Sequence, residues 1–293
     1  MKFSESGLPS HRLVESAFEY SQKNILSRVN DEVRIFTQQV NMSFTQNLMM
    51  LDLEKQAGGM SDEEYKREKE QMDRLREQQI KIGPQLIEKE LRNIFVTRRV
   101  GPAKELVTHA DAPGPELLAA VMLVDCVRSP LDYKNVAEKF GPGVADLVAE
   151  IVHIDAYPSE RVQNLGRAGV DTKRAYTALM ISSMEQVLAQ VERAAKAKPA
   201  QKIVFPPGQE EQIFSDARLI WGADPKLEKR FLDAFNKAST AVSSPYRLEV
   251  DAAGALEFVK GATAGPGPKI DPKKPKPNDP KPPGNGSIGG DVF

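Results

Sequence analysis

Cysteine, histidine and tryptophan are all scarce in these 293 residues. The single cysteine, Cys126, cannot close an internal disulfide, which excludes a disulfide scaffold and fits a reducing compartment. Three histidines, His11, His109 and His153, leave little for a histidine-rich metal centre. Charge of one sign is also lacking. Forty basic residues against 41 acidic ones give a net charge of −1, so there is no global pull toward nucleic acid or an anionic membrane. The longest apolar run, 117–124, falls far short of the ~20 residues a bilayer crossing needs and reads as the middle of a buried helix. The N-terminus has no apolar core behind its first basic residue, so no secretory signal is expected. Phosphate-binding glycine loops, CxxC, HExxH and GxSxG are absent. No cofactor is expected, and a cytoplasmic setting is.

The chain is 40% hydrophobic and 28% charged, the balance of a soluble globular protein. Residues 9–53 place Val14, Phe18, Ile25, Val29, Val33, Phe36, Val40, Phe44, Leu48 and Leu51 mostly three, four or seven apart, the spacing of one apolar helix face. This is either one long helix or a hairpin turning near 27–31. Its polar face is rich in Asn and Gln rather than charge. Gly58-Gly59 breaks the pattern, and Ser61 with Glu64 forms a capping-box signature. The helix that follows is dense in both charge signs, as a solvated face is. Gly83-Pro84 predicts another break, with a short helix over 85–95.

Helices are predicted over 116–128, 131–140, 144–153 and 173–197, then 210–221 and 225–241. The double proline in 202–208 predicts a loop or short extended piece. Residues 246–259 are ambiguous: RLEV suits a strand, and AAGALEFVK suits a helical turn or two. Residues 261–293 are proline-, glycine- and lysine-rich with little to bury, so a disordered tail is expected. The fold class expected is all-α, a helical bundle. Its regions are an N-terminal helical region (1–95), a central helical domain (96–200), a helical extension (201–260) and the tail (261–293).

One stretch, LLAAVMLVDCVRSPLDYKNVAEKFGPGVADLVAEIVHID, carries a resemblance. Its apolar run, the Lys139-Phe140-Gly141 helix end and the following VADLVAEIV resemble the HD hydrolase domain of RelA/SpoT-type alarmone hydrolases, over roughly 101–191. The resemblance implies an HD-type helical core. That family holds a metal, usually manganese, through two histidines and two aspartates. By the same alignment its HD pair falls on Val124-Asp125, and its acidic pair on Arg128-Ser129. Valine stands for the histidine, and arginine reverses a charge. The late aspartate falls near 181–183, where there is no carboxylate. Loss of one ligand usually weakens such a site sharply. Thr108-His109 matches a family segment whose histidine is not a ligand. His109 reads as a surface-loop residue and Asp125 as a capping or ion-pair partner, with Arg128 at i+3 the candidate cation. Arg98, Arg99 and Arg128 are the side chains for an alarmone sensor that binds without cleaving.

The expectation is therefore a pseudoenzyme with no catalytic residue and no metal. It would be a protein-binding adaptor or scaffold subunit of a larger bacterial hetero-complex, such as a secretion or signalling assembly. No nucleic acid partner and no transmembrane segment are expected. The candidate partner-binding residues are Phe18, Val29, Phe36, Phe44, Leu48 and Trp221, aromatic and aliphatic anchors of the kind that dominate interfaces. The alternative is a divergent metal-dependent phosphohydrolase acting on a nucleotide.

Overall fold

A computed structural model describes residues 7–156, 159–197 and 201–260. The expected tail, 261–293, lies outside them. The protein is mostly helical, with one two-stranded sheet among the described residues. No helix among them is long and apolar enough to cross a membrane.

The 9–53 pattern resolves into two helices. Helix α1 (Arg12–Leu26) and helix α2 (Val29–Gln56) meet at Ser27 and Arg28. Helix α1 packs on α5 (Pro115–Leu123), whereas α2 packs along α3 (Asp62–Phe95). The turn between α2 and α3 closes with Gly58 at φ +75°, the left-handed residue that ends a helix, and Gly59 N–H donates back to the Glu54 carbonyl at 3.0 Å. Ser61 then starts α3 with the predicted capping box: its hydroxyl accepts from Glu64 N–H, and Glu64 reaches back to Ser61 N–H.

The break predicted at Gly83-Pro84 does not form; α3 runs straight through it. Proline in a helix forfeits a hydrogen bond at a cost of ~3 kcal/mol, but tertiary packing overrides it here. The ring of Phe36 lies directly on Gly83, where a Cβ would stand 2.2 Å from Cε1. That contact requires the helix to continue and the residue to be glycine. Past Phe95 the path passes through a π-helical turn, Val96–Val100, into α4 (Gly101–His109), a helix not among those the sequence predicts. The expected boundary at 95/96 thus falls inside a continuous helical path.

Helix α5 ends sooner than predicted, in a 3₁₀ turn Val124–Cys126. Helices α6 (Pro130–Phe140), α7 (Pro142–Ala156), α8 (Arg161–Arg167) and α9 (Val170–Lys196) follow, then α10 (Gln209–Ile220) and α11 (Pro225–Ala241). Residues 246–260 form a hairpin of β1 (Tyr246–Val250) and β2 (Leu256–Lys260), pairing Leu248 with Phe258. AAGALEFVK is therefore turn and strand, not helix. Asp251 makes the turn: its carboxylate accepts from Ala253 and Ala255 N–H, both at 2.8 Å.

One contiguous apolar core extends from Leu8 on α1's approach to Leu256 on β2. It joins α1, α4–α11 and the hairpin into a body. Phe18 meets Phe95 edge-on at 5.1 Å, Tyr20 meets Phe140 at 5.4 Å, and Phe231 and Phe235 of α11 are fully buried. The α2–α3 pair projects from this body as an arm.

Candidate functional site

Two places merit attention: the turn where the resemblance puts an HD motif, and the arm.

At the turn, Val124 is half-buried against the core and Cys126 is buried. Asp125 keeps its side chain partly open, and its carboxylate lies 3.3 Å from Nη2 of Arg99. Arg99 comes from the π-helical turn and is 1% exposed. Its Nη1 donates to Ser21 Oγ at 3.2 Å and contacts Cys126 Sγ at 3.1 Å, while its buried Nε finds no acceptor. Ser21 Oγ donates in turn to the Met122 carbonyl. Arg28 reaches the Asp125 carbonyl at 3.4 Å. Burial, and then the positive charges of Arg128 and Arg99, pull the Arg28 guanidinium below its usual range, against the opposing pull of Asp125. Burial pushes the Cys126 thiol up, with Arg99 counteracting. A guanidinium thus occupies the space beside the Asp125 carboxylate. The i+3 partner suggested for Asp125, Arg128, is not the residue it pairs with; that place is taken by Arg99.

Arg128 and Ser129 have a local task. Ser129 caps α6, accepting from Asp132 N–H at 3.2 Å, while Asp132 accepts from Ser129 Oγ and from the Arg128 N–H. Pro130 at the first helical position completes the start. The Ser-x-x-Asp spacing of SPLD therefore marks the helix start, with Asp132 reaching the Arg128 N–H in place of the cap residue's own, a signal available from the spacing alone.

The three arginines suggested for an alarmone do not converge. Arg99 is sealed against Asp125, and Arg128 is exposed beyond it. Arg98 faces an open groove of 460 Å³ between the π-helical turn and α9, which it shares with Glu90, Glu105, Glu185 and Arg193. Two of those carboxylates are held by Arg230. His109 ends α4 rather than sitting in a loop, 3.6 Å from Glu105. Among the described residues no three His, Cys, Asp or Glu side chains converge as metal ligands.

On the arm, the suggested anchors turn inward. Phe36 lies on Gly83, and Phe44 lies beneath the guanidinium of Arg76, 4.9 Å from the ring centroid. Val29 and Leu48 are half-buried, and Phe18 packs on Phe95 in the body. Trp221 is tied to the hairpin, its indole N–H donating to the Gly254 carbonyl at 3.0 Å. The apolar side chains that reach solvent are others. Met42, Met49 and Leu53 on α2 are 61%, 61% and 58% exposed, with Ile35 one heptad before Met42. Met42 and Leu53 stand two residues, about 200°, beyond the inward Val40 and Leu51, and Met49 lies one heptad after Met42, so the three form the outer face of α2. Residues 35–51 contain no charge at all. The lack of charge was legible in the sequence; which apolar stripe faced out was not, because both repeat at helical spacing.

No family model, curated protein or solved structure matches this chain at a significant level.

Proposed function

We propose that this protein is a non-catalytic adaptor: a helical body of HD-hydrolase-like ancestry that presents an arm to a helix of another protein within a larger cytoplasmic assembly. One observation carries the reading. The outer face of α2 keeps Ile35, Met42, Met49 and Leu53 in water with no charge between 35 and 51. Exposed apolar stripes rimmed by polar side chains mark binding surfaces, and methionine is the side chain that adapts best to a partner's contour. The heptad spacing of 35, 42 and 49 suits an amphipathic helix laid alongside. The Arg99–Asp125 pair supports the non-catalytic half of the reading, since a guanidinium already neutralises the one carboxylate retained from the motif.

The test compares the full chain with a Met42→Lys/Met49→Lys variant in affinity capture from the native lysate, with in-cell crosslinking at the same face. A partner crosslinked to the arm of the parent and lost from the variant supports the reading. Equal capture by both chains counts against it. Release of pyrophosphate from guanosine tetraphosphate by the manganese-loaded chain would overturn it.

A further inference from the structure

The arm has a second unpartnered face, separate from the outer stripe. Between α2 and α3 lies an open groove of 270 Å³, lined by Val40, Ser43, Asn47, Met72, Leu75 and Gln79, with Phe44 and Arg76 at its floor. Three further side chains continue that face by helical geometry. Met50 stands one heptad after Ser43, Ile82 one heptad after Leu75, and Leu86 one heptad after Gln79. Met50, Leu75 and Leu86 are at least half exposed and Ile82 is 39% exposed. None of them, and none of the lining residues except Arg76, carries a charge, on a helix otherwise crowded with both signs. Arg76 is occupied within the arm, its Nε donating to Asn41 Oδ1 at 2.8 Å and its plane lying over Phe44.

We infer that this face joins two copies of the chain, hairpin against hairpin, into a four-helix bundle. The face is self-complementary. It holds both a hole, the groove, and the knobs to fill one, Leu75, Ile82, Leu86 and Met50, so a two-fold axis lets each copy supply what the other needs. Apart from Arg76, which is held within the arm by Asn41 and the Phe44 ring, the face carries no charge that would repel its own copy. The size also fits. The face runs about 25 Å along the helices and about 20 Å across two of them. That is on the order of 500 Å² in plan per copy and about 1,000 Å² in all, the lower bound of a specific interface. Pairing also answers a deficit: across α2 and the facing part of α3, Leu51 and Gly83 are the buried residues. The outer stripe of α2 stays free in such a dimer, so this inference stands or falls apart from the adaptor reading.

Sedimentation equilibrium of the full chain over a range of concentrations tests it. The expected result is a reversible monomer–dimer equilibrium. Leu75→Lys/Ile82→Lys should raise the dimer Kd by about 100-fold or more, with the helical circular dichroism signal kept, because both positions are exposed. Met42→Lys/Met49→Lys should leave the Kd unchanged. A spin label on Leu75→Cys, where the native Cys126 is buried, should give a short inter-copy distance across the two-fold axis in the dimer. A chain that stays monomeric at every concentration overturns the inference. So does a dimer that survives Leu75→Lys/Ile82→Lys, or one with no short inter-copy distance at residue 75.

Discussion

The body and the arm use apolar side chains in opposite ways. In α5 every residue from Leu117 to Leu123 is buried, whereas across the 28 residues of α2 only Leu51 is. In α3 the buried residues are Gly83 and, where the helix joins the body, Phe95. The body therefore owns its core. The arm holds together by local helix terms: a capping box, a left-handed glycine turn, Tyr65 donating to Asp52 and Lys55 paired with Asp62, plus a thin seam of half-buried side chains. Such terms contribute tenths to about one kcal/mol each. A region with this make-up gains most from a second surface, because its apolar groups have not yet left water.

The comparison breaks most sharply at a matched pair of deletions. Phe231→Ala empties a site that is 1% exposed in the body core and should cost about 3–5 kcal/mol in chemical denaturation. Phe44→Ala in the arm removes a half-buried ring and should cost less than about 1.5 kcal/mol. Equal costs would mean that the arm is as tightly packed as the body. Gly83→Val comes next. Its side chain would collide with the ring of Phe36, and overpacking of this kind costs about 1–3 kcal/mol. Hydrogen exchange should accelerate along α2 and the middle of α3, with α5, α9 and α11 unchanged. Acceleration throughout would show that arm and body unfold as one unit.

The same contrast explains what the sequence disclosed. Helices α6, α7, α9, α10 and α11 were legible to within a few residues, because proline and glycine bound them and their apolar spacing is regular. The π-helical turn was not, since nothing local marks VTRRV as differing from a helix. Proline at 84 pointed the wrong way because its local cost is outweighed by a ring 48 positions earlier in the chain. The Asp125 surroundings were not legible: Arg99 reaches the carboxylate, Arg28 the backbone carbonyl and Ser21 the Arg99 guanidinium, all through tertiary packing. On α2 two apolar stripes, two residues apart in phase, compete for the inward role, and periodicity alone does not choose between them.

A smaller effect sharpens the view of the arm as locally stabilised. Ser61→Ala removes the hydroxyl that accepts from Glu64 N–H and donates to the Glu64 carboxylate, leaving only the backbone N–H of residue 61, the larger of the two donors that hold that carboxylate below its usual range. Loss of such a cap costs about 1 kcal/mol. The change should appear as faster exchange at the α2–α3 turn and as an upward move of the Glu64 titration by NMR. Midpoints for the body should stay put. A shift of the global midpoint instead would tie the arm's tip to the body's cooperativity.

The smallest effect belongs to the body and shows itself only at alkaline pH. Burial holds the Cys126 thiol above its ordinary range, with Arg99 as a partial counterweight. The folded chain therefore keeps a proton that the unfolded chain releases. Below the ordinary thiol range both states are protonated, and the group makes no difference between them. As pH rises through that range the unfolded thiol ionises first, so stability falls with pH until the folded thiol ionises as well. Denaturation midpoints measured at intervals from neutral to alkaline pH should decline more steeply for the parent than for Cys126→Ala. Thiol-reactive dyes should label the parent slowly in buffer and quickly in denaturant. A parent slope matching the alanine variant would mean that the Arg99 guanidinium offsets burial completely, and that the Asp125 turn tolerates a thiolate as readily as water does.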